Sequence, residues 1–227
     1  MTNQPSPALP LARLCCLSGL LGSTLFLCGD MLWYGGWTSG ADFHPFDVMA
    51  QRSVGAVIIA GALGPVAALF SAFGMGVFFL TIEPAGRRLA AAASALLAVM
   101  MLIGGSYHAL YGCFGFAAKV TDPALRQTMI AQLAGLRDAV SYPMYAAGVA
   151  GTLLVYVLAL RRKTSFPRWL LLLMPTTLSE ASTVFRPAFL AIPAPLGGWL
   201  RGGWINGSFV LFFAVAAVYF WPARPSE

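Results

Sequence analysis

Residues 54–81 read VGAVIIAGALGPVAALFSAFGMGVFFLT, without one charged side chain. A helix needs about twenty apolar residues to cross the hydrocarbon core of a bilayer, and this run exceeds that length. The rest of the chain agrees, since 59% of it is hydrophobic and only 10% is charged, whereas soluble domains are about 25% charged. The sequence therefore predicts an all-α, polytopic integral membrane protein.

Six apolar runs are long enough to cross a bilayer, and short loops connect them. They lie at about residues 11–34, 54–81, 88–116, 140–160, 168–190 and 204–221. The first run continues directly into Asp30 and Trp33, which favours a membrane span over a cleaved signal peptide. We therefore predict a single transmembrane domain, residues 1–227, built as a bundle of about six transmembrane helices.

The loop at 119–139 carries a helical pattern of its own. Asp122 followed by Pro123 is typical of a helix start. Apolar residues then recur at helical spacing, namely Leu125, Met129, Ile130, Leu133 and Leu136. This pattern predicts a short amphipathic helix over 123–137 on the extracytoplasmic membrane surface. An extension of the third or fourth span is the alternative.

The basic residues indicate the orientation of the bundle, because short cytoplasmic loops are enriched in Lys and Arg. With both termini inside, the inner segments hold eight basic residues and the outer segments six, and RRKTSFPR at 161–168 concentrates four of them. We expect cytoplasmic N and C termini, in the inner membrane of a bacterium. The formal charge of +6 is scattered over helix ends, which disfavours nucleic acid as a partner.

The second span carries a row of small residues, which predicts close helix packing. The row has a spacing of four: Ala56, Ala60, Gly64, Ala68, Ala72 and Gly76. Small side chains let the backbone of a neighbouring helix approach, and Pro65 adds a kink. This span is therefore predicted to lie at the centre of the bundle.

Polar residues inside the apolar runs are the candidates for a functional site. Asp30, His108, Glu180 and Asn206 all lie within predicted spans. An ionisable group at this depth costs about 2.5–3.5 kcal/mol on insertion scales, so a functional site is the default hypothesis. A buried charge is retained where it is paired, and we expect Asp30 to lie next to His108 as an acid–imidazole pair.

With the assigned orientation, these residues fall in the outer half of the membrane and predict one polar cavity open toward the extracytoplasmic side. The catalytic candidates are Asp30, His108 and Glu180, and the substrate-binding candidates are Trp33, Arg52, Tyr111, Tyr142, Arg186 and Asn206. For Trp33 an anchor at the membrane interface is the favoured interpretation, because aromatic residues at that level are more often anchors than walls of a site. The alternative for the whole set is a group of interhelical hydrogen bonds that only hold the helices together.

No cofactor or metal is expected. The chain has only two histidines, and its four cysteines lack a CxxC spacing. A disulfide between Cys28 and Cys113 stays open, because the topology places both near the outer face.

The favoured function is an intramembrane enzyme that uses acid–base residues on a lipid or isoprenoid-like substrate, by hydrolysis, isomerisation or cyclisation. GxSxG and HExxH motifs are missing from the sequence. The pair Gly29-Asp30 in an apolar helix resembles lysoplasmalogenase-type membrane hydrolases, but a second aspartate in a matching helix is lacking, and we transfer no function. The alternatives are a small transporter or ligand-binding protein, and a structural membrane subunit. Expected partners are membrane lipids and a small hydrophobic or amphipathic ligand, with a homodimer left open.

Overall fold

The structure, a computed structural model, describes residues 8–161 and 164–221, except for the side chains of residues 8, 9, 180 and 183. This part of the chain is mostly helical and contains no strand. Its helices are α1 (Ala8–Tyr34), α2 (Pro45–Ala50), α3 (Val54–Gly74), α4 (Gly76–Ile82), α5 (Arg87–Ala118), α6 (Pro123–Arg161), α7 (Pro175–Val184), α8 (Arg186–Ala191) and α9 (Leu196–Tyr219). Two 3₁₀ helices, Glu83–Ala85 and Arg168–Leu173, lie between them.

Five helical segments of the described chain are long and apolar enough to cross a membrane. They are Pro10–Tyr34, Val54–Ala85, Arg87–Ala118, Pro123–Arg161 and Leu196–Tyr219, the second of which combines α3 and α4. The predicted class, an all-α multi-pass membrane protein, is confirmed.

The predicted span at 168–190 is the exception, because it is broken into three short pieces: Arg168–Leu173, α7 and α8. Pro175 and Pro187 each stand in the first turn of a new helix, and proline lacks the N–H that would continue the preceding helix. The segment still runs from one end of the bundle to the other. At one end, the N–H of Ser165 donates to O of Thr81 in the last turn of α4 at 2.9 Å; at the other end, the N–H of Gly40, which follows α1, donates to O of Ile192 at 2.9 Å.

The predicted amphipathic helix is the first part of α6 rather than a separate element. Its start is confirmed, because Oδ1 of Asp122 accepts hydrogen bonds from the N–H groups of Ala124 (2.8 Å) and Leu125 (3.1 Å). The helix then continues through Pro143 to Arg161. This is the alternative of an extended fourth span. A proline within a membrane helix is tolerated because its surroundings can satisfy the freed backbone groups.

The two ends of the described chain meet at one end of the bundle. The guanidinium of Arg13 lies over the ring of Trp221, 2.9 Å from its centroid. We call this the terminal end, and the opposite end, where α1 finishes and α9 begins, the distal end. The described chain therefore crosses the bundle an even number of times. The five long helical segments account for five crossings, and the broken segment at 168–190 is the sixth.

The small-residue row of α3 brings that helix against α5. Gly64 and Ala68 are buried, and a Cβ added at Gly105 of α5 would lie 2.5 Å from the Cβ of Ala68 and 2.9 Å from the carbonyl oxygen of Gly64. Since α3 also packs along α1, it lies between α1 and α5, whereas its other face, which includes Ile58, Ile59 and Leu69, is exposed. Glycine is required at 105 because any side chain would separate the two backbones.

The cysteines do not cross-link the described chain. Cys15 and Cys16 are buried, whereas Cys28 and Cys113 are exposed, and all four are free. The disulfide that the topology left open is therefore not formed.

We predict that Gly105→Ala destabilises the protein, whereas Gly207→Ala does not. The new methyl group at 105 overpacks the α3–α5 contact, which costs about 1–3 kcal/mol. Gly207 of α9 has nothing within 4 Å of an added Cβ, and alanine in place of glycine otherwise favours a helix by about 0.5–1 kcal/mol. The midpoint of thermal unfolding in a mild detergent distinguishes the two, and equal midpoints would refute the close approach of α3 and α5.

Candidate functional site

Asp30 joins three helices near the distal end of the bundle. It lies in the last two turns of α1 and is only 6% exposed. Its Oδ1 lies 3.5 Å from Nε2 of His108 on α5, and its Oδ2 accepts a 2.7 Å hydrogen bond from Nδ2 of Asn206 on α9. The predicted proximity of Asp30 and His108 is confirmed. Asn206 is also at this site, as a direct partner of the carboxylate.

The imidazole of His108 occupies a slot between α1 and α3. A Cβ at Gly29 would lie 2.6 Å from Cε1 of His108, and a Cβ at Gly64 would lie 2.8 Å from its Cβ. Both positions therefore need glycine to leave room for the ring. Neither ring nitrogen forms a hydrogen bond within the described structure, since 3.5 Å to Asp30 exceeds the usual 2.7–3.2 Å. A shift of a few tenths of an ångström would close that gap.

Aromatic side chains cover this slot. The indole of Trp33 stacks on the imidazole, with centroids 4.2 Å apart and planes at 25°, and the ring of Phe26 lies 5.2 Å away. Trp33 is 1% exposed, and its Nε1 donates to Val57 O at 3.4 Å. The interpretation favoured from the sequence, an anchor at the membrane interface, is therefore wrong for Trp33, whose indole forms an internal wall of the site.

A cavity of about 520 Å³ adjoins the Asp30–His108 pair, within the range of about 300–1,000 Å³ that is usual for small-ligand sites. Residues of α1, α5, α6, α7 and α9 line it. Its polar and aromatic lining includes Asp30, Trp33, Tyr34, Tyr107, His108, Tyr111, Tyr145, Arg201 and Asn206. Its apolar lining includes Met100, Met101, Met144, Val149, Leu153 and Phe209. The pair thus stands in the wall of a mainly apolar chamber.

Arg201 is a cavity residue that the sequence analysis missed. Its Nη1 donates to the carbonyl oxygens of Gly40 (2.6 Å) and Phe43 (3.3 Å), and its guanidinium lies 5.3 Å from the ring centroid of Phe43. The last span was predicted to begin at 204, so this arginine was counted as a loop charge. Because α9 begins at Leu196, Arg201 is on the same helix as Asn206 and faces the same cavity.

The tyrosines on the cavity wall were also mostly missed. Tyr111 was predicted, but Tyr34, Tyr107 and Tyr145 also line the cavity. Tyr34 and Tyr111 contact each other edge to face, with centroids 6.4 Å apart. The available signal was sequence spacing, since Tyr34 is one turn after Asp30 and Tyr107 adjoins His108.

Three of the predicted substrate-binding residues lie outside the cavity lining: Arg52, Tyr142 and Arg186. The Nε of Arg52 donates to Leu32 O at 2.8 Å and fastens the loop after α2 to α1. Tyr142 is 70% exposed on α6, and Arg186 is exposed at the start of α8. Glu180 belongs to α7, but its side chain lies outside the described part of the structure.

The described side chains offer no group of three or more His, Cys, Asp or Glu residues close enough to hold a metal ion. What the fold and the site define is a multi-pass α-helical membrane protein with an internal cavity that contains a buried Asp–His pair. The sequence model of the family described as "Family of unknown function (DUF6796)" matches residues 1–221, and the chain belongs to this family. No curated protein and no solved structure matched the chain.

We predict that Asn206→Leu lowers the free energy of unfolding by about 1.5–3 kcal/mol, the usual contribution of a hydrogen bond to a charged group. In an Asp30→Leu background the same substitution should cost clearly less, because the carboxylate that needs the amide is gone. Unfolding titrations of the two single variants and the double variant in mixed micelles give the coupling energy. Equal costs in both backgrounds would show that the Asn206–Asp30 bond contributes nothing to stability.

Proposed function

We propose that the protein is an intramembrane enzyme that performs acid–base chemistry on a lipid or isoprenoid-like substrate. The observation that supports this is the buried Asp30 carboxylate, 3.5 Å from the imidazole of His108, in the wall of a cavity of about 520 Å³. Hydrolysis, isomerisation and cyclisation all use a positioned acid or base. The mainly apolar lining favours a hydrophobic substrate.

In this proposal Asp30 and His108 share one mobile proton. Asn206 holds Oδ2 by donating a hydrogen bond to it, and His108, whose Nε2 lies 3.5 Å from Oδ1, is the proton carrier on the other side of the carboxyl group. Both residues line the cavity, so a proton can pass from the pair to a bound substrate and return from water or product. The slot formed by Gly29, Gly64 and Trp33 keeps the imidazole in place through the cycle.

The cavity lies toward the distal end of the bundle. With both termini cytoplasmic in a bacterial inner membrane, as the basic residues predict, the site belongs to the extracytoplasmic half of the bilayer. Its substrate would then come from the outer leaflet.

A transporter is the second candidate, and the broken sixth crossing favours it. Pro175, Thr176 and Ser179 of α7 line the cavity. Transporters commonly form midplane sites from discontinuous helices of this kind. In that case the Asp30–His108 pair would bind a ligand or a coupled proton without product formation.

We predict that Asp30→Asn abolishes turnover, with a loss of at least about 10²-fold, the lower range of general acid–base catalysis. The purified protein is placed in nanodiscs made from a total polar lipid extract of its expression host, and the lipids are compared by mass spectrometry before and after incubation. The wild type should form a product that Asp30→Asn and His108→Gln do not form. Cys28→Ser, an exposed change on the same helix, is the matched control and should keep full activity.

Other outcomes reject parts of this proposal. If Asp30→Asn forms the same product as the wild type, Asp30 is not the acid–base group. If the wild type forms no product but moves a fluorescent lipid analogue across vesicle bilayers in an Asp30-dependent manner, the transporter candidate is correct.

A further inference from the structure

The cavity opens sideways between α6 and α9. Helix α6 packs along α5, and α9 packs along α1, but the described helices show no extended contact between α6 and α9. Tyr145, Val149 and Leu153 of α6 and Ile205 of α9 line the cavity, and each is also more than half exposed. A side chain can do both only at the mouth of a cavity. Because both helices are membrane spans at this level, this lateral opening faces the hydrocarbon of the bilayer.

The cavity has a polar end and an apolar end along the helix axes. Arg201 on α9, Tyr107 on α5 and Tyr145 on α6 line its distal end. Phe209 lies eight residues further along α9, and Leu153 lies eight residues further along α6, which is about 12 Å at a rise of 1.5 Å per residue. The chamber therefore matches a molecule with one polar head and one apolar chain.

The polar end carries an uncompensated positive charge. The carbonyl groups of Gly40 and Phe43 orient the Arg201 guanidinium without neutralising it, and it has no ion-pair partner among the described residues. The carboxylate of Asp30 is already paired with His108 and Asn206. Guanidinium groups are well suited to carboxylate and phosphate ligands, which they can bind through two parallel hydrogen bonds.

From these observations we infer that the cavity takes a single-chain anionic amphiphile, which enters from the bilayer between α6 and α9 and places its headgroup on Arg201. The volume of about 520 Å³ suits one such ligand. The headgroup then lies at the end of the cavity that holds the tyrosines, and the chain runs past Met100 and Phe209. This names the substrate class of the proposed enzyme and in that sense rests on the proposed function, although binding itself does not require turnover.

The headgroup assignment is tested with three probes of the same chain length: oleate, oleoyl lysophosphatidate and the neutral oleyl alcohol. Their dissociation constants are measured for the protein in nanodiscs of phosphatidylcholine. Arg201→Gln should weaken binding of both anions by at least about tenfold, because a hydrogen bond to a charged group contributes about 1.5–3 kcal/mol. Binding of oleyl alcohol should stay within about twofold of the wild type. Arg201→Lys should keep most of the affinity for the anions.

An equal loss for all three probes would show that Arg201 only anchors the loop at Gly40 and Phe43, and would overturn the assignment. If Arg201→Gln does not fold, the wild type alone decides the matter, because oleate must bind more tightly than the cationic oleylamine. The reverse preference would also overturn it. A preference between the two anions supports the proposal and identifies a carboxylate or a phosphate as the natural headgroup.

The lateral route is tested with Val149→Trp, which narrows the opening. Val157→Trp is the matched control, because Val157 is an exposed residue two turns further along α6 that does not line the cavity. A narrowed opening should slow oleate association and dissociation together, by at least about tenfold, and leave the dissociation constant less affected. Unchanged rates for Val149→Trp would overturn entry between α6 and α9.

The failure of this inference can be separated from failure of the proposed function. If the wild type binds oleate through Arg201 and yet forms no product, the enzyme proposal fails and the ligand class stands. If product forms but is insensitive to Arg201→Gln, the ligand class fails and the enzyme proposal stands. Asp30→Asn should retain oleate binding in either case, because Arg201 provides the headgroup contact.

Discussion

The structure depends on how the bundle accommodates one carboxylate. A charged group inside hydrocarbon costs about 2.5–3.5 kcal/mol or more, and the loss of a partner leaves that charge uncompensated. Asp30 meets this constraint by engaging α5 through His108 and α9 through Asn206. α1, α5 and α9 must therefore pack in a register that places Asp30, His108 and Asn206 at the same depth. The register of α9 against α1, in particular, is specified by a 2.7 Å hydrogen bond in addition to apolar packing, which alone tolerates a slip along the helix axis.

The close packing of α3 against α5 also determines the geometry of the site. The small residues of α3 let α5 approach, and that approach brings His108 within reach of Asp30. The absence of side chains at Gly29 and Gly64 leaves space for the imidazole of His108, and the indole of Trp33 covers that space by stacking on the imidazole. The two glycines and the stacked indole therefore fix the orientation of the imidazole ring as well as its position.

The sequence predicts the membrane environment, most of the long helices and the proximity of Asp30 to His108, because each of these follows from the cost of placing polar groups in a bilayer. Charged groups are excluded from lipid unless they are paired, so the sequence predicts Asp30, His108, Glu180 and Asn206 as one cluster, and the structure brings Asp30, His108 and Asn206 together. The identity of the remaining wall was not predictable in this way. Tyr142 and Tyr145 are one turn apart on α6, and only the rotation of that helix against α5 decides that Tyr145 lines the cavity and Tyr142 does not. Arg201 was missed because hydropathy places the start of α9 too late, and an arginine at a helix end is indistinguishable from a topology charge.

The broken segment at 168–190 forms part of the cavity wall, because Pro175, Thr176 and Ser179 of α7 line the cavity. A hydropathy average treats this segment as a span, but it does not register where the backbone hydrogen-bond ladder ends. The broken segment lies between α6 and α9 and is held by both: the hydroxyl of Tyr156 donates to Leu171 O at 2.7 Å, and Nε1 of Trp204 donates to Leu178 O at 3.0 Å. Long polar side chains of the neighbouring helices thus satisfy a backbone that a continuous helix would satisfy by itself. The described parts of α6 and α9 make no extended contact with each other, and Val149 and Ile205 both line the cavity between them. The cavity that these residues line adjoins the Asp30–His108 pair, so the broken segment and the buried pair belong to the same part of the structure.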